Sequence, residues 1–156
     1  MTSVSQYAFY DCTSLRNVTI PSSITSIGNY AFTNCTNLSN VNIGGTLTSI
    51  GAGAFRNCPL ITSFDFKKGL TTIGYGAFAG TGLSNASLPI SLTSLSTYSL
   101  GYDYKNGDYT KKDTFTMSGY SGEAMNYATK NGFDFTNLLE YKTTDDDSGI
   151  SIVKYK

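Results

Sequence analysis

The sequence predicts a β-rich solenoid of short strands and tight turns, closed at its C-terminal end by a capping unit with one helix. An Ala-Phe pair recurs every 23 residues, at Ala8-Phe9, Ala31-Phe32, Ala54-Phe55 and Ala77-Phe78. Aliphatic and cysteine positions repeat with the same spacing. After Leu100 this spacing stops, and signals for a hairpin, a strand and a helix follow. A constant period of about 20 to 50 residues indicates units that bury their apolar sides only by stacking on one another.

Each repeat unit, or rung, has three segments. The first alternates apolar and polar residues at its end, as in Val18-Thr-Ile20, and predicts a half-buried strand. The second is a short extended piece ending at Gly28, Gly51 or Gly74, where we expect positive φ. The third carries Ala-Phe and is too short for a helix, so it predicts a tight helical or 3₁₀ turn. The predicted core positions are Leu15, Leu38, Ile61, Leu83; Val18, Val41, Phe64, Ala86; Ile20, Ile43, Phe66, Leu88; Ile24, Ile27, Leu47, Ile50, Leu70, Ile73, Leu92 and Leu95.

The three cysteines follow Phe by three residues in successive units, at Cys12, Cys35 and Cys58. They form a column with neighbours about 5 Å apart, the strand-stacking distance. Parallel Cβ vectors do not give the torsion that a disulfide prefers, so we expect reduced, buried thiols. The chain has no His, and we predict no metal site. The aspartates 145–147 lack the spacing of a calcium loop.

The pattern LxxVxIPxxLTSIGxxAFxxCxxL resembles the BspA-like (treponemal) leucine-rich repeats. The resemblance covers roughly the first 100 residues and involves many positions at once. It implies a leucine-rich-repeat solenoid from a bacterial, or sometimes protist, cell-surface protein that binds host or matrix proteins or other cells. The later run TMSGYSGEAMNYATKNGFDF is similar to the end segment of such arrays, which implies a cap.

We divide the chain into three parts. Residues 1–100 are the leucine-rich-repeat solenoid, about four and a half rungs. Residues 101–138 are a hairpin insertion and the C-terminal cap, because the last rung of a solenoid exposes an apolar edge that needs covering. Residues 139–156 are a linker or the start of a truncated following domain.

Local signals locate the elements of the cap. Tyrosines alternate on either side of Asn106-Gly107, a strong hairpin signal. Strands are predicted at 115–117 and 133–135. Between them we expect a helix that begins after Ser121 as the N-cap, with Glu123 in its first turn. Its apolar residues, at helical spacing, are Ala124, Met125, Tyr127 and Ala128. Gly132 is expected to end it.

Composition excludes several classes of function. Formal net charge is zero and there is no basic block, so we expect no nucleic-acid partner. No segment is long and apolar enough to span a membrane, and no signal peptide is present. Since the chain starts inside a repeat, we interpret it as an excised fragment with an added Met1. Without His, and with cysteines at core positions, we predict no catalytic residues and no cofactor.

Two surfaces are candidates for binding. The strand segments stack polar residues into columns, and Arg16, Asn17, Asn40, Asn42 and Asp65 are the candidates there, unless these are only solvated sheet positions. On the turn side and the hairpin, the candidates are Tyr7, Tyr30, Tyr102, Tyr104 and Tyr109. Tyr and Arg dominate binding hot spots, so we expect a partner to prefer the tyrosines, although some of them could simply cover rung edges.

These observations favour a non-enzymatic protein-interaction or adhesion module of a secreted or cell-surface protein. The expected partner is a host or matrix protein, or a glycan, bound by a monomer. The alternatives are a structural spacer that displays neighbouring domains and a cytoplasmic scaffold. The lack of large anchors on the strand columns favours the spacer, and the reduced cysteines suit the scaffold.

Overall fold

The computed structural model describes residues 1–120, 122–142 and 152–155. Its elements in chain order are β1 (Ser3–Val4), β2 (Asn17–Ile20), β3 (Ser26–Ile27), β4 (Asn40–Ile43), β5 (Ser49–Ile50), β6 (Thr72–Ile73), β7 (Asn85–Leu88), β8 (Ser94–Leu95), β9 (Tyr102–Lys105), β10 (Asp108–Lys111), β11 (Thr116–Gly119), α1 (Glu123–Asn131), β12 (Asp134–Asn137), β13 (Leu139–Lys142) and β14 (Ile152–Tyr155). The predicted strand-rich solenoid with one helix near its C-terminal end is confirmed.

The two strand segments of the repeat form two sets of parallel strands. The short-strand face is one sheet in the order β1-β3-β5-β6-β8. Its register pairs equivalent residues of successive rungs, such as Ile27 with Ile50. The long-strand face contains β2-β4 and, after an interruption, β7-β11-β12. Because equivalent positions pair, each apolar column becomes a continuous stack inside the solenoid.

The phenylalanine column is the centre of that core. Phe32, Phe55 and Phe78 are buried, as are the alanines before them. Phe9 is 37% exposed because no rung covers it on its N-terminal side. The core therefore begins at the second rung, as the partial first unit predicts.

The Ala-Phe segment forms a tight turn, with one difference from the prediction. Ala8, Tyr10 and Cys12 donate their amides to the residue three before them, as in a 3₁₀ turn. The amides between them, of Phe9 and Asp11, donate instead to the next rung. The segment is therefore a ladder between rungs as well as a turn, and not a continuous 3₁₀ helix.

The expected positive φ at Gly28, Gly51 and Gly74 is wrong. Left-handed backbone occurs instead just before each Ala or its equivalent, at Tyr7, Tyr30, Gly53, Gly76 and Tyr98. The earlier glycines are needed for a different reason, close approach between rungs. A Cβ on Gly28 would lie 2.7 Å from the Gln6 amide nitrogen, and one on Gly74 would lie 2.5 Å from that of Ala52. Only glycine lets the backbones of adjacent rungs come that close.

The third rung departs from the predicted strand. Residues 62–66 form none, although β4 precedes and β7 follows at the equivalent positions. Here Phe64 and Phe66 replace the smaller Val41 and Ile43 of the rung before. The Phe64 ring lies 5.4 Å from Phe55 and 4.8 Å from Phe78, between centroids. We attribute the missing strand to these two large rings, which fill the rung interior and shift the backbone away from its neighbours.

The segment after Leu100 folds as a hairpin and a cap. β9 and β10 pair antiparallel, with positive φ at both Asn106 and Gly107, as the predicted turn requires. β11 pairs in parallel with β7, and β12 pairs with β11, so the cap continues the long-strand face. Helix α1 ends at Asn131 and is followed by Gly132 in a left-handed conformation, which is the predicted stop.

Two details of the helix differ from the prediction or lie beyond it. Ala124, Tyr127 and Ala128 are buried, but Met125 is 39% exposed, so it is not a core residue. The helix begins at Glu123 and Gly122 precedes it; Ser121, the predicted N-cap, lies outside the described residues. Of the predicted linker or domain start at 139–156, residues 143–151, which include the aspartates 145–147, also lie outside them. β13 and β14 pair with each other as an antiparallel hairpin.

Candidate functional site

The long-strand face carries five of the predicted site residues. Asn17 and Asn40 pair across β2 and β4, and the Asn40 side-chain amide donates to Asn17 Oδ1 at 2.8 Å. Asn42 is exposed beside them, and Arg16 is exposed just before β2. Part of the hydrogen-bonding capacity of the asparagines is thus used within the sheet.

The missing strand of the third rung opens a shallow cleft on this face. Its volume is about 510 Å³, and it lies between β4 and residues 63–65. It brings together Asn40, Asn42 and Asp65 but neither Arg16 nor Asn17. The Asp65 carboxylate lies 3.8 Å from Lys67 Nζ, which donates to the Ile43 carbonyl at 2.6 Å. Apart from Phe64 and Val41, the residues that line the cleft are Ser, Asn and Asp, which are weak anchors for a partner.

The short-strand face serves the fold. Thr48 Oγ1 donates to the Thr25 carbonyl at 3.0 Å, and Thr71 Oγ1 donates to that of Thr48 at 2.8 Å. This hydroxyl ladder joins successive rungs and leaves few donors for a ligand.

We call the surface formed by the Ala-Phe turns the turn face. Its shape depends on which residue occupies the left-handed position just before each turn. Tyr7 and Tyr30 occupy this position in the first two rungs, and their rings stack with centroids 5.3 Å apart. In the next two rungs the position holds Gly53 and Gly76, which have no side chain. The ring of Tyr30 lies over Gly53, where a Cβ would come within 2.5 Å of it. The two glycines therefore leave a recess beside the tyrosine stack.

The β9–β10 hairpin packs into this recess. Tyr109 lies over Gly76, with its hydroxyl 2.8 Å from where a Cβ would stand. Its ring stacks on Tyr98 at 4.4 Å and contacts Tyr75 at 5.5 Å. Burial raises the pKa of Tyr109 to about 12. Its main role in the structure is thus to hold the hairpin against the solenoid.

Tyr102 differs from the expectation of an exposed binding residue. It is 8% exposed, and its hydroxyl donates to Asn131 Oδ1 at 2.7 Å. Its ring contacts Phe133 of the cap. Tyr102 therefore joins the hairpin to the cap, and its side chain is not available to a partner in this structure.

Arg56 occupies the centre of the remaining tyrosines. Its guanidinium carbon lies 4.7 Å from the ring centroid of Tyr104, 5.1 Å from that of Tyr30 and 6.0 Å from that of Tyr109. Burial by itself would lower the pKa of Arg56, but polar contact with the Tyr104, Tyr109 and Tyr30 hydroxyls outweighs burial and raises it. Its Nε is buried and has no hydrogen-bond acceptor among the described residues. Arg56 is thus a permanent cation held among aromatic rings.

A cleft of about 300 Å³ opens beside Arg56. Tyr7, Tyr10, Tyr30 and Tyr104 line it, and Asn34 lies with Arg56 between them. Tyr7 and Tyr10 are 51% and 44% exposed, so the cleft has accessible aromatic walls. We call it the Arg56 cleft. It brings together three of the predicted residues, Tyr7, Tyr30 and Tyr104.

Sequence reasoning did not select Arg56 as a site residue. The signal was present, because Arg56 is one of six charged residues in the first 100 and directly follows a core Phe. The equivalent position in the other rungs holds Tyr10, Thr33 and Ala79. The docked hairpin, which brings Tyr104 to Arg56, has no counterpart in the repeat pattern.

The cysteines of the described chain are free thiols, and they are not part of a metal-ligand cluster there. In the described part of the chain, no three His, Cys, Asp or Glu residues are grouped so that they could hold a metal ion. No helix among those residues is long and apolar enough to cross a membrane. Cys35 and Cys58 are free and buried, and their thiols donate to the Phe9 and Phe32 carbonyls at 3.1 and 3.0 Å. Cys12 is free and only half-buried.

Two solved bacterial structures are similar to this chain. A leucine-rich-repeat protein of Treponema pallidum is 29% identical, with a TM-score of 0.64 over 77% of this chain and 52% of that one. A leucine-rich-repeat protein of Bacteroides ovatus is 26% identical, with a TM-score of 0.61 over 75% of this chain. The chain spans about half of the first protein and 28% of the second. A comparison with curated proteins gave no match.

The repeat itself matches a defined family. The BspA type leucine-rich repeat region matches residues 1–105 in six copies, about two thirds of the chain. Members of leucine-rich-repeat families are generally non-enzymatic protein-interaction modules. The resemblance drawn from the LxxVxIP and LTSIGxxAF motifs is confirmed, and the chain belongs to the family of proteins with BspA-type leucine-rich repeats.

Proposed function

We propose that this chain is a non-enzymatic adhesion module of a secreted or cell-surface protein, and that its partner binds the turn face at the Arg56 cleft. The observation that carries the proposal is the exposed Tyr7–Tyr10 pair, whose rings meet edge to face at 5.6 Å beside a cation. Tyr and Arg supply much of the affinity in protein interfaces. The long-strand face offers mainly Asn and Ser around its cleft.

The test compares two triple variants on a panel of immobilised matrix proteins and glycans. One is Tyr7→Ala, Tyr10→Ala, Tyr104→Ala, and the other is Asn17→Ala, Asn40→Ala, Asn42→Ala. We expect the tyrosine variant to lose at least about tenfold in affinity, because a hot-spot residue contributes roughly 2 kcal/mol or more. The asparagine variant should bind like the unchanged protein. Thermal unfolding of both variants shows whether the fold is retained.

Other outcomes would redirect the proposal. Loss of binding only in the asparagine variant would assign the partner to the long-strand face. No binding to any member of the panel would favour the structural spacer, which needs no ligand. Immunolabelling of intact cells of the source organism tests the surface location, and labelling only after lysis would favour the cytoplasmic scaffold.

A further inference from the structure

We propose that the Arg56 cleft accepts the carboxylate of an Asp or Glu side chain from a protein partner. This inference rests on the proposed function, a protein-binding module that uses the turn face. It specifies the chemical group that the partner must present, a carboxylate, and identifies Arg56 as the residue that binds it.

Arg56 lacks a carboxylate partner. The ion pairs within the described residues join Lys67 to Asp65 at 3.8 Å and Lys112 to Asp103 at 3.4 Å, and neither includes Arg56. The Tyr104 and Tyr30 rings stabilise the cation through their faces and their hydroxyls contact it, but neutral tyrosines leave its positive charge uncompensated. The Arg56 Nε–H has no acceptor among the described residues, so no group there neutralises the guanidinium through that buried atom. A partner can reach the part of Arg56 that lines the cleft. A carboxylate there would accept hydrogen bonds from the guanidinium in pairs, the geometry in which Arg binds it best.

The size of the cleft limits what enters it. About 300 Å³ is at the lower end of the range for small-ligand sites, so the space suits the end of one side chain. Tyr7, Tyr10 and Tyr104 line the cleft together with Arg56. These rings partly exclude water from a bound carboxylate, which strengthens its attraction to Arg56.

Neighbouring groups favour a single carboxylate over an acidic run. Asn34, which lines the cleft, donates from Nδ2 to Asp11 Oδ1 at 2.6 Å and accepts from Asn57 Nδ2 at 2.9 Å. Asn34 is therefore held in place with Asp11 beside it. The negative charge of Asp11 would repel further acids next to the one that pairs with Arg56. We expect the recognised segment to carry one Asp or Glu among neutral or apolar residues.

The composition of the cleft favours a protein partner over an acidic sugar. Tyr and Arg are the residue types that concentrate binding energy at protein interfaces, and this cleft consists mainly of them. The surrounding solenoid surface carries few charges, so a partner has little else to pair with electrostatically.

The chain contains only two arginines, Arg56 and the exposed Arg16, which makes a matched control available. Random twelve-residue peptides displayed on phage are selected separately on the unchanged protein, on Arg56→Gln and on Arg16→Gln. We expect binders of the unchanged protein to be enriched in one Asp or Glu at a constant position. The enrichment should persist with Arg16→Gln and disappear with Arg56→Gln.

A second measurement needs no variant of the protein. Labelling with ¹⁵N-arginine gives two Nε–Hε resonances, one for each arginine. A synthetic copy of the most enriched peptide should shift the Arg56 resonance to saturation and leave Arg16 in place. Replacing its Asp with Asn, or its Glu with Gln, should weaken binding about tenfold or more, as expected for a charge-assisted hydrogen bond.

The outcomes separate this inference from the proposed function. Peptides that bind without acidic preference, or that bind Arg56→Gln equally well, overturn the carboxylate inference and leave the binding module in place. Failure to select any peptide also overturns it, and failure on the protein panel as well removes the proposed function. Arg56-dependent binding to glycans that carry glucuronic or sialic acid, with no acidic peptide selected, would reassign the cleft to sugars and overturn the protein partner.

Discussion

Phe32 and Phe55 stack with ring centroids 5.2 Å apart and ring planes only 1° from parallel. Both side chains are completely buried. Each ring contacts the equivalent ring of the rung before and of the rung after, so the aromatic packing is continuous along these rungs. Truncation of one ring would leave a cavity bounded by two rungs that are held apart by their own hydrogen bonds.

We therefore predict that Phe55→Ala lowers the free energy of unfolding by about 3–5 kcal/mol, the range for large buried aromatics. Urea denaturation provides the measurement. Phe9→Ala is the matched control, because Phe9 is 37% exposed and stacks on one side only. Its cost should be clearly smaller, and equal costs would contradict a core centred on the inner rungs.

Native-state thiol labelling should distinguish the three cysteines. The hydrogen bond with Cys35 and burial raise the pKa of the Cys58 thiol, and Cys35 is completely buried. Since the thiolate is the reactive form, Cys58 should resist Ellman's reagent until the protein unfolds. The hydrogen bond with Cys58 lowers the pKa of the Cys35 thiol, but Cys35 should also resist because its side chain is inaccessible to the reagent. Half-buried Cys12 should react first. Rapid labelling of Cys35 and Cys58 in the folded protein would refute the core assignment.

Stability should fall in alkaline solution through Tyr109. Burial raises its pKa to about 12 from an ordinary value of 10.0, so the folded protein favours the neutral phenol. Its contribution is complete below pH 10 and is lost as pH rises from 10 towards 12. Between these pH values the melting temperature should fall more in the unchanged protein than in Tyr109→Phe, which cannot ionise. Parallel curves for the two proteins would show that Tyr109 titrates normally.

The cap should be required for a soluble solenoid. β11 pairs with β7, and the Tyr127 hydroxyl donates to the Leu100 carbonyl at 2.9 Å. A chain ending at Tyr98 would expose the β7 edge and the apolar rung beneath it, and should aggregate or lose cooperative unfolding. As a control, removal of residues 139–156 should change stability by no more than about 0.5 kcal/mol. A monomeric 1–98 fragment with an unchanged melting temperature would disprove the capping role.

The interrupted strand of the third rung should be recoverable. The double change Phe64→Val and Phe66→Ile supplies the residues found at Val41 and Ile43, where β4 forms. Smaller side chains should let residues 62–66 approach β4 and pair with it at the usual strand distance. Hydrogen exchange of amides 62–66 should then slow by about tenfold or more. Unchanged exchange would mean that something other than ring size keeps the strand from forming.

Much of the fold and part of the site were predictable from local pattern. The rungs are identified by the 23-residue period and the Ala-Phe column, because both come from a pattern that repeats along the chain. The hairpin is identified by the Asn106-Gly107 turn, because a tight turn depends only on residues adjacent in sequence. Tyr7, Tyr30 and Tyr104 were selected for the same reason, as aromatic residues at turns. The sequence does not distinguish buried Tyr102 from these residues, because the alternation along β9 does not show which side of the strand the cap covers.

The tertiary structure alone decided where the site lies. Nothing in the repeat predicts that the hairpin packs over Gly76, that Tyr104 reaches Arg56, or that the Arg56 Nε is left without an acceptor among the described residues. The sequence determined the stack of rungs, because similar repeat units place equivalent residues in register. The sequence did not determine the cleft, because the β9–β10 hairpin is an insertion that does not follow the repeat. Its position depends on long-range contacts between side chains that occur only once in the chain.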